Sequence, residues 1–194
     1  EFRAPNLIQG REFSAANFDG LSFAPHAAID YTSDPPRLYV ADPGNNRILG
    51  FADARSVQPG DYADVVIGQV DFHRQLANSP FNDADQPTEF GLLAPTSVAV
   101  DREGNLWVAD AGNGPLPRPF DDPENRWQRI DLVIGQPSAE TRWSPDPQQG
   151  RLARPVSIAF TGQGQLLVAD VAHHRVLRYD PPFFTGMDAS VVIG

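Results

Sequence analysis

Residues 93–113 read LAPTSVAVDREGNLWVADAGN. Pro95 opens a run in which small or apolar residues alternate with polar ones as far as Asp101. Asp101-Arg102-Glu103-Gly104-Asn105 follows, and Leu106-Trp107-Val108-Ala109-Asp110 closes the stretch. Two short β-prone runs on either side of a Gly-containing, acidic turn read as a hairpin. The ending Val108-Ala109-Asp110 recurs at Val40-Ala41-Asp42 and Val168-Ala169-Asp170, with the aspartates 68 and 60 residues apart. An opening proline recurs at Pro25, Pro95 and Pro155. A third landmark, an Ile-Gly strand end, stands at Ile67-Gly68-Gln69, Ile134-Gly135-Gln136 and Ile193-Gly194, with a degenerate copy at Leu7-Ile8-Gln9-Gly10. Three landmarks that keep one order and nearly one period define an internal repeat.

Each unit offers four strands. The first is HAAID, TSVAVD or VSIAF; the second is RLYVAD, NLWVAD or QLLVAD. The third is NRILGF in unit one and HRVLRY in unit three, and the fourth is ADVVIG, IDLVIG or ASVVIG. Four short strands per unit, repeated without any helical period, predict an all-β propeller of four-stranded blades. The predicted organisation is one propeller segment over 1–194. A strand of a preceding blade lies at 5–10, blade one at 21–69, blade two at 91–136 and blade three at 151–194.

These stretches resemble the NHL repeat: a proline, an apolar strand ending in Asp, a Gly-Asn turn, a Val-Ala-Asp strand, then Asn or His before Arg-Val. The trailing VIGQ strand is similar to that of large bacterial NHL-repeat proteins, many of them exported. The resemblance implies a propeller fold and an extracellular or periplasmic setting; it does not specify a function. Unit two departs from it, because Gly114-Pro115-Leu116-Pro117-Arg118-Pro119-Phe120 replaces the third strand. Proline cannot donate to a ladder, so an edge, a bulge or an irregular strand is expected there. Three blades do not close a ring that typically needs about 4–8. A partial or half ring is expected, completed by further blades in cis or by a homodimer.

Composition narrows the chemistry. The chain has 15 Lys+Arg against 25 Asp+Glu, a net charge of −10, and every cation is arginine. Without Lys there is no Schiff base or P-loop lysine. Without Cys there is no thiol nucleophile, disulfide or thiolate metal site. The negative charge opposes general nucleic-acid or anionic-membrane binding. Apolar runs of four or five residues are too short for a membrane span. The opening Glu1-Phe2-Arg3 carries neither an initiator Met nor a signal-peptide pattern, as expected of a processed or excerpted chain.

In an up-and-down blade, the turn between the second and third strands and the connection between blades emerge on one face. That face would carry 11–24, 70–94 and 137–154, with the turns 43–46, 111–115 and 171–174; repeat proteins place insertions on their binding face. The candidate ligand-binding residues there are His26, Asn46, Thr96, Asn113, Trp143, His173 and His174. His26, Thr96 and Val156 align as the first residue after each proline, at the channel mouth. Trp143 lies in an insertion among polar residues, where an exposed indole could anchor a partner.

Asp42, Asp110 and Asp170 read as interchangeable structural caps of the following turn. Arg47 and Arg175 stand near enough in sequence to meet their carboxylates. His26 and the His173-His174 pair resemble the propeller of peptidyl-amidoglycolate lyases, whose histidines hold a catalytic zinc. A zinc site needs about three ligands, and only one blade start supplies a histidine, so no metal, cofactor or catalytic residue is assigned. The acidic stretches 82–89 and 121–125 lack the glycine of a tight calcium loop and read as solvated loops. The expected function is a non-catalytic scaffold that presents inter-blade loops to a protein, peptide or glycan. A metal-dependent lyase or hydrolase, and a structural spacer in a large exported protein, are the alternatives.

Overall fold

The structure, a computed structural model, describes residues 26–58, 61–114, 116–119, 130–141 and 150–194. Blade one consists of β1 (Ala27–Asp30), β2 (Arg37–Asp42), β3 (Arg47–Phe51) and β4 (Val65–Ile67), hydrogen-bonded in that order. Blade three repeats the plan with β9 (Pro155–Phe160), β10 (Leu166–Asp170), β11 (Arg175–Tyr179) and β12 (Val191–Ile193). All pairings are antiparallel between chain neighbours, which is the up-and-down order that short turns enforce. The predicted strand at 5–10, the start of blade one and Pro25 lie outside the described residues.

Blade two is not one continuous sheet. β5 (Pro95–Val100) pairs with β6 (Leu106–Asp110), and β7 (Leu116–Pro119) pairs with β8 (Ile130–Ile134). β7 runs beside β6 without forming a ladder to it. Pro117 and Pro119 supply no N–H, and the β7–β8 register shifts between Arg118 and Pro119.

Two clusters join the blades. Tyr39, Ala41, Ile48 and Ile67 of blade one pack with Val98, Leu106 and Val108 of blade two. Trp107, Ala109, Leu132 and Ile134 of blade two pack with Ile158, Leu166, Val168, Leu177 and Tyr179 of blade three. Alternation along each strand produces both, because successive side chains point to opposite faces of the sheet. The fully buried Trp107 lies edge-on to Phe160 at 5.9 Å and Phe183 at 5.1 Å, and its Nε1–H donates to Asp101 Oδ2 at 2.9 Å. The first strands β1, β5 and β9 lie side by side and mark the inner edge of the blades. No helix among the described residues is long and apolar enough to cross a membrane.

The register corrects one sequence alignment. In β5 the ladder passes from Pro95↔Asp110 to Ser97↔Ala109, and in β9 from Pro155↔Asp170 to Ser157↔Ala169. Thr96 and Val156 are therefore the extra residues of β-bulges. In blade one the His26 carbonyl accepts from Ala41 N–H, which makes Ala41 the equivalent of Ala109 and Ala169. His26 thus corresponds to Ser97 and Ser157, not to Thr96 and Val156.

Candidate functional site

The ends of β2, β6 and β10 carry the repeated Asp, and a short turn follows each. In blades one and three the turn is a single 3-10 turn, Pro43–Asn45 and Val171–His173. The next residue is left-handed in all three: Asn46 at φ 53°, Gly114 at φ 90° and His174 at φ 53°. Asn and Gly are suited to that conformation, whereas His accepts it at some cost.

Within each turn the Asp meets the residue three positions on. Asn45 Nδ2 donates to Asp42 at 2.9 Å, Asn113 Nδ2 donates to Asp110 at 2.7 Å, and His173 Nδ1 lies 2.8 Å from Asp170. The backbone donors to Asp110 and Asp170 come from elsewhere. Leu93 N–H donates to Asp110 Oδ1 at 2.7 Å, and Arg154 N–H donates to Asp170 Oδ1 at 2.9 Å. The connections entering blades two and three run past the strand ends with these N–H groups turned to the carboxylates. These two aspartates therefore fasten the incoming connection, a role not foreseen in the reading of them as caps of the following turn.

The three aspartates are not interchangeable. Arg47 Nε donates to Asp42 Oδ2 at 2.8 Å and its Nη1 donates to the Phe72 carbonyl at 2.6 Å. Arg175 lies 3.5 Å from Asp170 and donates to the Arg151 carbonyl. Arg47 thus ties blade one to the connection leaving it, and Arg175 ties blade three to the connection entering it. Blade two has Pro115 at this repeat position. Among the described residues, Asp110, only 1% exposed, is held by Leu93 N–H and Asn113, and burial pushes its carboxyl up to about 7. Burial also raises Asp42, with Arg47 pulling against it.

The connection 70–94 is held throughout its length. Gln69, the last residue of the VIGQ motif, is 5% exposed. Its Nε2 donates to the carbonyls of Asn46 (2.9 Å) and Leu76 (2.8 Å), and its Oε1 accepts from Leu76 N–H at 2.9 Å. Gln136 repeats the device, donating to the Leu152 carbonyl at 2.9 Å. Asn46 donates to the Gln75 carbonyl and accepts from Ala94 N–H at 2.9 Å. Asn78 N–H donates to the Leu92 carbonyl, and Thr88 Oγ1 donates to the Ser79 carbonyl at 2.7 Å, forming a stem. Asn78 Nδ2 reaches the Asp83 and Ala84 carbonyls inside the tip, and Asn78 Oδ1 accepts from Asn113 at 2.6 Å. Gly91 must be glycine, since a Cβ there would overlap the Asn78–Ser79 backbone. Phe81 stands at the tip, 71% exposed.

The candidate residues divide by this geometry. Asn46, Asn113 and His173 belong to the fastening network. Thr96 sits in its bulge and donates to the Pro155 carbonyl at 3.2 Å. His26 Nδ1 accepts from Val98 N–H of the next blade at 3.4 Å. His174 is exposed. Trp143, residues 11–24 and residues 142–149 lie outside the described residues. No group of three or more His, Cys, Asp or Glu among the described residues could hold a metal ion. Gln69, Gln136, Asn78 and Phe81 are not singled out by the sequence reading. Repetition of Gln after Ile-Gly at 69 and 136 is the signal available for the first two.

Sequential units of four antiparallel strands, stacked face to face with their first strands innermost, define a β-propeller. Residues 152–179, within blade three, match the family model of the NHL repeat. The chain is part of a β-propeller, and its NHL-repeat match lies in blade three. Among curated proteins none matches it. Similar solved structures include virginiamycin B lyase from Staphylococcus aureus, at 13% identity and TM-score 0.43 over 86% of this chain and 41% of that one. A protein of unknown function from Bacteroides caccae matches at 10% identity and TM-score 0.45, over 88% of this chain and 46% of that one. A luciferin-regenerating enzyme matches at 17% identity and TM-score 0.47, over 89% and 45%. The chain spans less than half the length of each.

Proposed function

We propose that this chain is a non-catalytic binding module that presents its inter-blade connections to a protein, peptide or glycan partner. The observation that carries the reading is the 70–94 connection. Its stem and base are hydrogen-bonded to two blades, yet its tip holds Phe81 71% exposed. An exposed aromatic on a pre-organised loop is the kind of anchor that dominates interface energetics, because little ordering entropy remains to be lost on binding. Asp83 and Asp85 in the same tip add negative charge, which favours partners with basic or hydrogen-bond-donor groups. We also infer an extracellular or periplasmic setting, on the resemblance of the VIGQ strands to exported NHL-repeat proteins.

Labelled protein on peptide and glycan arrays tests the binding reading. The wild type should be retained by one ligand class, and Phe81→Ala should weaken that retention at least tenfold, roughly the loss of one hot-spot side chain. Removing an exposed ring should change stability by no more than about 0.5 kcal/mol. Retention on no array, or equal retention of both proteins, overturns the proposal.

A further inference from the structure

A buried relay of side chains runs from the end of β6 to the tip of the 70–94 connection. Asp110, Asn113 and Asn78 are 1%, 2% and 0% exposed. Asn113 Nδ2 donates to Asp110 Oδ2 at 2.7 Å and to Asn78 Oδ1 at 2.6 Å. Asn78 Nδ2 donates in turn to the Asp83 and Ala84 carbonyls, at 3.0 and 3.4 Å, just beyond Phe81.

The direction of the relay is set at its inner end. An ionised carboxylate accepts hydrogen bonds and donates none. Oδ1 of Asp110 takes the Leu93 N–H, and Oδ2 takes the Asn113 amide by its nitrogen. Asn113 Oδ1 is then left buried without a hydrogen-bond partner among the described residues. Asn78 is turned with its oxygen to Asn113 and its nitrogen to the tip. A proton on Asp110 Oδ2 reverses the demand, because that oxygen becomes a donor. The acceptor left over is Asn113 Oδ1. Rotating the amide to offer it sets oxygen against Asn78 Oδ1. Asn78 then loses its partner, or rotates as well and sets its own oxygen against the Asp83 and Ala84 carbonyls. In either case the link between β6 and the tip is broken.

Blade two alone has this arrangement among the described residues. Asp42 and Asp170 each have an arginine, at 2.8 and 3.5 Å, where blade two has Pro115. Burial pushes the Asp110 carboxyl up to about 7. Of the strands packed against β6, β7 carries Arg118, while β5 and β9 carry no titratable side chain. The connection brings Asp71, His73, Arg74, Asp83, Asp85 and Glu89, with Arg74 paired to Asp71 at 3.3 Å. Arginine keeps its charge at any ordinary pH, so His73 is the competing group near neutrality.

We propose that Asp110, Asn113 and Asn78 form a proton-operated latch: the ionised carboxylate holds the tip that carries Phe81, and protonation releases it. As regulation of partner binding, the latch rests on the reading of that tip as the binding surface; its mechanics do not. The tip is held above about pH 7 and freed in mildly acidic surroundings.

Amide exchange measured by NMR at pH 5 and pH 8, without any partner, tests the latch. The reporter is the Gln86 N–H, which donates to the Asp83 carbonyl inside the tip. Relative to an unstructured amide, it should exchange roughly tenfold faster at pH 5 than at pH 8, the loss of about one internal hydrogen bond. The Asn78 N–H, bonded to the Leu92 carbonyl in the stem, should keep its protection. Asp110→Asn must give its oxygen to the Leu93 N–H, so its nitrogen stands where the proton would. It should leave the tip free at both pH values, whereas a response driven by His73 would persist. Asn78→Gly suits the left-handed backbone there, at φ 49°, and should also free the tip at both. Equal protection at the two pH values in the wild type overturns the proposal. So does a protected tip at pH 8 in either variant. A latch that passes while Phe81→Ala leaves array retention unchanged would count against the binding reading alone.

Discussion

Asp110 is the residue at which the repeat breaks its own rule. Its folded carboxyl is pushed up to about 7 by burial, against an ordinary value of 3.8. Between those values the folded chain holds a proton that the unfolded chain releases. The resulting stabilisation is complete below about pH 3.8 and is lost as pH rises through about 7. Every tenfold difference in proton affinity between the folded and unfolded chain is worth about 1.4 kcal/mol, so the loss is on the order of 4 kcal/mol. Melting temperatures from pH 5 to 8 should fall in the wild type and fall less steeply in Asp110→Asn, which has no proton to lose there. Parallel pH profiles for the two proteins count against the assignment. Arg47 makes the opposite case: removing it strands the buried Asp42. Arg47→Ala should cost about 3–5 kcal/mol in urea unfolding. Arg47→Lys should not restore it, because one ammonium replaces the fork that reaches both Asp42 and the Phe72 carbonyl.

At the scale of elements, the 70–94 connection is hydrogen-bonded to the strand ends at its start and at its finish. Gln69 satisfies three backbone groups at once, so Gln69→Ala leaves the Asn46 and Leu76 carbonyls and the Leu76 N–H without that partner. The expected cost is about 1–3 kcal/mol, with hydrogen exchange of the Leu76 amide accelerated well beyond that of β2. Unchanged exchange would show that the side chain does not hold the connection. The strands are legible in the sequence because alternation with a period of two is a direct imprint of the sheet, and Asp101-Arg102-Glu103-Gly104-Asn105 announces its turn. The irregularity of β7 is legible too, since a missing N–H is visible as proline. The bulges at Thr96 and Val156 are not: one extra residue in a strand leaves no mark in the pattern, and it shifts the alignment of His26. The aspartates are recognisable as structural, but their donors lie 16 or 17 residues away at Leu93 and Arg154, and local sequence carries no record of such a pairing.

For the whole molecule, stability is a sum over neighbouring blades rather than a property of one central core. Trp107 belongs to the junction of blades two and three and makes its ring contacts with Phe160 and Phe183. Trp107→Ala should cost about 3–5 kcal/mol, and amide protection should fall across β5, β6, β9 and β10 while β2 and β3 keep most of theirs. Uniform loss across all blades would mean that the chain unfolds as a single unit. The stem at Asn78 and Ser79 has a consequence of another kind. Because Leu92 and Thr88 close it at the base, the residues at 80–87 can be exchanged without touching a strand. Lengthening such a closed loop is cheap, about 0.6 kcal/mol for each doubling. The tip is thus a grafting socket: foreign peptides spliced there would be displayed on a stiff scaffold, provided they return carbonyls to Asn78 where Asp83 and Ala84 now supply them.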